Sequence, residues 1–95
     1  MADVKSVHII VEGTVQGVGF RYFVQQQAIA LKLTGWVRNK HDEKVEILAQ
    51  VEEIQLQQLI TFVRVGPSMA HVTDLEIEWS FPVVAFKRFS IAPTD

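Results

Sequence analysis

The sequence contains no cysteine, so disulfides, thiol catalysis and thiolate metal sites are all excluded. It also lacks any apolar run of the length needed to span a bilayer. The opening residues, Met1-Ala2-Asp3-Val4-Lys5-Ser6, hold no hydrophobic core of a signal peptide, and the expectation is a soluble cytoplasmic protein. Charge of neither sign is in excess. A net charge of −2 exerts no general pull on nucleic acid or anionic lipid, so any attraction for phosphate has to be local. There is no internal linker, no repeat and no block of like charge. What the chain does have is apolar content, 48% of its 95 residues, enough for one core and one domain spanning residues 1–95.

Glycine is scarce, five in all, and three of the five fall in the run Gly13-Thr14-Val15-Gln16-Gly17-Val18-Gly19-Phe20-Arg21. The run follows an apolar segment, Val7 to Val11, and precedes a stretch without Pro or Gly up to Leu33. That order predicts strand, glycine-rich turn, helix. Glycine takes backbone angles closed to other residues, so a short turn there can curl round a small ligand. A curled turn that opens a helix aims several N–H groups at one spot, where the helix end adds partial positive charge. Arg21 falls in or near the first helical turn, and its planar fork of donors matches phosphate oxygens. Two readings stay open on this ground alone: an anion cradle, or a tight connection with Arg21 solvated. No Lys-Ser or Lys-Thr pair follows the glycines, so this is not a nucleotide P-loop. Tyr22 stands where a dinucleotide fingerprint needs its third glycine.

The remainder reads as alternating strands and helices. Val4 to Glu12 is a strand with Val7, Ile9 and Val11 on one face and His8, Ile10 and Glu12 on the other. His8 is read as structural, since no carboxylate or second His stands at ligand spacing. Residues 21–33 form a helix whose stripe is Phe20, Val24, Ala28 and Leu31, with Gln25, Gln26 and Gln27 toward solvent. Tyr22 and Phe23 are assigned to the core or to helix packing in preference to a pocket wall. Thr34 to Lys40 is the second strand, with Gly35, Val37 and Asn39 on one face and Trp36 and Arg38 on the other. Asn39 therefore shares the inward face at the strand's end, either as a turn former or as a polar group beside the core. His41-Asp42-Glu43 makes a hairpin tip, and Val45 to Val51 the third strand, with Val45, Ile47 and Ala49 together. A second helix runs from Glu53 to Val65 on the stripe Leu56, Leu59, Ile60 and Val63, and Gly66-Pro67 stops it, with Gly66 as a left-handed cap. Ala70 to Trp79 is a fourth strand with Asp74, Glu76 and Glu78 on a solvated face, and Phe86 to Ile91 holds a short edge strand.

This βαββαβ order predicts an α+β, ferredoxin-like fold, an antiparallel sheet with two helices on one face. The first strand then lies in the sheet interior. Its C-terminal loop opens beside the strand that follows the first helix, which brings the Gly13–Phe20 loop, Arg21 and Asn39 to one pocket.

The run Gly13 to Arg21 and the run Gly35-Trp36-Val37-Arg38-Asn39 resemble the two signatures of the acylphosphatases. Gly66-Pro67, Ala70, Val72 and the closing Phe89-Ser90-Ile91 are also similar to that family, so the resemblance covers essentially the whole chain. It implies hydrolysis of a carboxyl-phosphate anhydride to a carboxylate and inorganic phosphate. It also implies no metal or organic cofactor, no nucleic-acid or membrane partner, and a cytosolic monomer. Residue by residue, it makes Arg21 the phosphate-binding arginine and Asn39 the holder of the attacking water. The amides of Val15, Gln16, Gly17, Val18, Gly19 and Phe20 become the phosphate cradle, and phosphate itself becomes a competitive inhibitor. The acyl end is expected to project toward solvent and to be weakly selected. Two departures are visible: Lys32 where many relatives have glycine, and Asp42-Glu43 in place of Asp-Gly at the hairpin tip. A left-handed backbone at Lys32 would carry strain of roughly 1 kcal/mol. Two other readings compete: a regulatory module that binds an anion without turning it over, and an RNA-binding sheet. The second would want exposed aromatics and a basic surface, and neither is evident.

Overall fold

A computed structural model describes residues 4–82 and 84–95. Alternation sets the strands. In β1 (Val4–Thr14), Val7, Ile9 and Val11 point one way and are buried. They pair with Ala49, Ile47 and Val45 of β3 (Val45–Glu52), which pair in turn with Gly35, Val37 and Asn39 of β2 (Thr34–Asn39). Three rows thus cross the sheet on one face, and all but the last are wholly apolar or glycine. The last row reads Val11, Val45, Asn39, so the asparagine ends a core row. Two helices bury their stripes on these rows: α1 (Phe20–Ala30) with Phe20, Val24 and Ala28, and α2 (Glu53–Val65) with Leu56, Leu59, Ile60 and Val63. Full burial of one such aliphatic side chain is worth about 1.5–3 kcal/mol, which makes these rows the main source of stability.

The sheet order is β4-β1-β3-β2-β5, where β4 is His71–Ser80 and β5 is Phe89–Ile91. The four-stranded antiparallel arrangement expected from the sequence is present, and β5 adds a parallel pair with β2 that makes the whole sheet mixed. The direction of β5 follows from its connection. β4 ends opposite Ser6, near the start of β1, so the chain must cross that end of the sheet and enter β5 running the same way as β2. The buried carboxamide of Gln50 steers this crossing: its Nε2 donates to the Val84 carbonyl at 2.7 Å, and its Oε1 accepts from the Phe86 amide at 3.4 Å.

Most element ends fall within one residue of the sequence reading, and three departures have a clear physical cause. First, β1 continues to Thr14, past the expected end at Glu12, because its pairing with β4 survives a register shift between Glu12 and Gly13. Gly13 is what permits the shift, since a Cβ there would lie 2.0 Å from the His71 carbonyl oxygen. Second, α1 ends at Ala30, three residues short of the expected Leu33. The Lys32 amide donates to Ile29 at 3.0 Å and the Leu33 amide to Ala28 at 2.9 Å, the bond pattern of a Schellman cap. Lys32 holds the left-handed position, φ 60°, and Leu33 is turned into the core. Replacing Lys32 with Gly should raise stability by about 0.5–1 kcal/mol, as the removed strain outweighs the added freedom of the unfolded chain. Denaturant unfolding checks this, and a Lys32→Gly variant of equal or lower stability would contradict it. Third, Gly66 takes φ 70° with ψ −178°, so it stops α2 with an extended glycine geometry and not with the expected left-handed cap.

The sheet's other face carries a polar cluster. Glu46 accepts from His8 Nε2 at 2.6 Å and from Arg38 Nε at 2.7 Å, and the Arg38 guanidinium lies 4.8 Å from the Trp36 ring centroid. Burial disfavours the charged form of Glu46, but these two hydrogen bonds outweigh it and hold the carboxyl below its ordinary range. His8 is thus a structural residue, with a carboxylate partner reached across strands and not along the chain. Asp74, Glu76 and Glu78 are exposed, as expected of a solvated face.

Candidate active site

The loop between β1 and α1 is built by its two ends and its two inner glycines. Val15 and Phe20 are buried and pin the ends to the core. Gly17 (φ 73°) and Gly19 (φ 78°) both take left-handed angles, while a Cβ at either would meet nothing within 4 Å. The demand at these positions is conformational, and any other residue would carry strain of about 1 kcal/mol or more. Gly19 also serves as the N-cap of α1 and offers no side chain to cap it. The first intrahelical bond is from the Phe23 amide to the Gly19 carbonyl, at 3.0 Å. Among the described residues, no acceptor is found for the amides from Gln16 to Tyr22. A cluster of unmet donors at the positive end of a helix is a ready receptor for an anion.

Two side chains complete the arrangement. Arg21 is half-buried in the first turn of α1 and makes no ion pair or hydrogen bond among the described residues. Asn39, at the end of the Val11-Val45 row, has a buried Oδ1 without a partner. Its backbone is fixed from both sides. The Asn39–Val45 pair closes the hairpin, and the Asp95 amide donates to the Asn39 carbonyl at 3.0 Å. Lys40 and Asp95 pair at 2.8 Å; that hydrogen bond raises the lysine's pKa and lowers the aspartate's.

A cavity of about 240 Å³ is lined by Val15, Gly17, Gly19, Phe20, Arg21, Tyr22, Asn39 and Ile91. The candidate residues Arg21 and Asn39, separated by a helix and a turn in the chain, therefore meet at one opening. Gln16 and Val18 belong to the same loop but do not line the cavity. Val18 packs against the core, and Gln16 has a different task. Its side-chain amide donates to the carbonyls of Lys40 at 2.8 Å and Lys44 at 2.9 Å, which ties the glycine turn to the hairpin that carries Asn39. The sequence reading took Gln16 only as a source of a backbone amide, and nothing in the local pattern marks those two distant carbonyls. Tyr22 also corrects an expectation. It is 63% exposed and forms part of the cavity wall, whereas Phe23 packs on the core as anticipated. Ile91 was not singled out as a site residue; it reaches the cavity through the parallel pairing of β5 with β2. Among the described residues, the lining offers one cation, one carboxamide, one phenol and several amides, with no carboxylate and no imidazole. It can bind an anion and orient a neutral molecule, and the Tyr22 phenol is the one titratable side chain besides Arg21 among the described lining residues.

The family profile for acylphosphatases matches residues 7–91. The acylphosphatase of Bacillus velezensis is 47% identical over 90% of this chain and 94% of its own length, and that of Bacillus subtilis is 49% identical over 87% and 91%. The crystal structure of acylphosphatase from Bacillus subtilis superposes with a TM-score of 0.90 at 46% identity, covering 93% of this chain and 98% of that one. An acylphosphatase from Coxiella burnetii gives 0.89 at 33% identity, covering 95% and 94%.

Proposed function

The chain belongs to the acylphosphatase family, enzymes that hydrolyse acyl phosphates, and from that premise we propose how its own residues carry the reaction. The phosphoryl group seats in the turn from Val15 to Phe20, where free amides and the Arg21 fork meet its nonbridging oxygens. Asn39 holds a water in line with the bond that breaks. Its Oδ1 accepts a hydrogen bond from that water and its amide group donates one. The observation that carries this reading is that Asn39, whose buried Oδ1 has no partner among the described residues, lines the same cavity as Arg21, which makes no ion pair or hydrogen bond among them. Leaving such an acceptor unmet costs about 1–3 kcal/mol, which is tolerated where a bound molecule satisfies it in use.

The chemistry asks for little more. A bond forms from the water oxygen to phosphorus as the bridging P–O bond breaks, and the electron pair leaves on the carboxylate. A carboxylate is a weak base, so no general acid is needed at the leaving oxygen. The amide of Asn39 is neutral and removes no proton; the water's proton passes to a phosphate oxygen or to solvent. What remains is positioning and charge stabilisation, the chief demands of phosphoryl transfer. The same cradle receives product phosphate, which makes phosphate a competitive inhibitor. On this reading the chain acts as one catalytic domain, a cytoplasmic monomer, with a small acyl phosphate as its partner.

Hydrolysis of acetyl phosphate in excess chelator tests the proposal. Turnover should be unaffected by the chelator and inhibited competitively by phosphate. Loss of activity on chelation, restored by a divalent ion, would overturn the metal-independent scheme.

A further inference from the structure

Beyond the cradle, the cavity has a second wall that the hydrolytic scheme does not use. Tyr22 is 63% exposed and Ile91 41% exposed, and both line the cavity that holds Arg21 and Asn39. Their placement follows from the fold. α1 packs against β2 and β5, and Gln25 Nε2 comes within 3.5 Å of the Phe89 carbonyl, so that side of α1 faces β5. Tyr22 lies three residues earlier on the same side, one turn nearer the loop. Ile91 stands on β5 opposite Val37, beyond the strand that carries Asn39. The two residues therefore flank the opening on the sheet's β5 edge, away from the hairpin to which Gln16 ties the turn. Scattered exposed apolar side chains are ordinary on a protein surface. These two share one concave site, and the only charged lining residue among the described ones is Arg21, which the phosphoryl group engages.

We infer that Tyr22 and Ile91 hold the acyl substituent, and that the enzyme selects acyl phosphates with a flat, apolar acyl group over short or charged ones. This rests on the cradle reading above, because it takes the phosphoryl group as seated between the glycine turn and Arg21. The substituent then leaves the cradle along the tyrosine ring and the isoleucine, where an aromatic ring gains contact and a carboxylate gains no partner. The expectation from the sequence, an acyl end in solvent and weakly selected, is replaced by a discriminating wall.

The test compares kcat/KM for benzoyl phosphate and acetyl phosphate in the wild type and in Tyr22→Ala, Tyr22→Phe and Ile91→Thr. Taking the ratio of the two substrates, variant against wild type, cancels their intrinsic reactivities. Tyr22→Ala should lower the benzoyl-to-acetyl ratio about tenfold, the size expected for losing part of an apolar pocket. Ile91→Thr should lower it several-fold, and Tyr22→Phe should keep it, since the ring and not the hydroxyl makes the contact. An unchanged ratio in both Tyr22→Ala and Ile91→Thr, or a ratio lost in Tyr22→Phe, would overturn the inference while leaving hydrolysis intact. Failure of the wild type to hydrolyse either substrate would instead overturn the cradle reading beneath it.

Discussion

Replacing Asn39 with Ala should cut turnover by about 10²–10³-fold, the usual loss when one preorganised polar contact to the reacting centre is removed. The effect belongs in kcat. The phosphoryl group is held by the turn and Arg21, so KM and the phosphate inhibition constant should move little. Stability gives an independent readout. The Asn39 Oδ1 is buried and accepts no hydrogen bond from the described residues, so its removal breaks no hydrogen bond seen in the fold. Alanine removes the orphaned acceptor while the strand keeps its backbone bonds, so the variant should melt at the wild-type temperature or above it. An inactive variant that melts above the wild type would show that this position trades stability for catalysis. Near wild-type turnover in a folded Asn39→Ala enzyme would remove the water-holding role.

Arg21→Ala should act on both binding and rate. The guanidinium faces the cavity without an ion-pair partner among the described residues, so its charge is available to the ligand. Loss of a fork of charge-assisted bonds should weaken phosphate inhibition by about 10–100-fold, the equivalent of about 1.5–3 kcal/mol. The transition state concentrates charge on the same oxygens, and kcat/KM should fall by about 10³-fold or more. Arg21→Lys should recover only a fraction of this, since a point charge cannot reproduce the planar fork. Because the side chain forms no ion pair among the described residues, stability should change little. A variant that lacks the guanidinium yet shows unaltered phosphate inhibition would place Arg21 outside the cradle.

These two residues were legible for different reasons. Arg21 follows directly on the glycine run, so one local pattern points to both. Asn39 was placed on the inward face by the two-residue period it shares with Val37, but period alone left it a choice between turn former and site residue. The register places it at the end of the Val11-Val45 row, and the cavity there is also lined by Arg21. Tyr22 stands two positions past Phe20, about half a helical turn from the buried stripe, so its exposure was open to the same periodic argument. Its assignment to the core or to helix packing, in preference to a pocket wall, fails. Lys32 shows the reverse case: the suspected left-handed backbone is present, at φ 60°, and the bonds of the cap explain it.

The chain alone determined the order of elements, the faces they bury and the glycine turn that opens the first helix. These depend on periodicity and on backbone freedom, which act over a few residues. Tertiary structure decided the direction of β5, the Glu46 cluster beneath His8, the double tether of Gln16 and the arrival of Ile91 beside Tyr22. Each joins groups many positions apart. Such meetings are set by strand register and by the path of a crossing segment, which no local run of residues encodes.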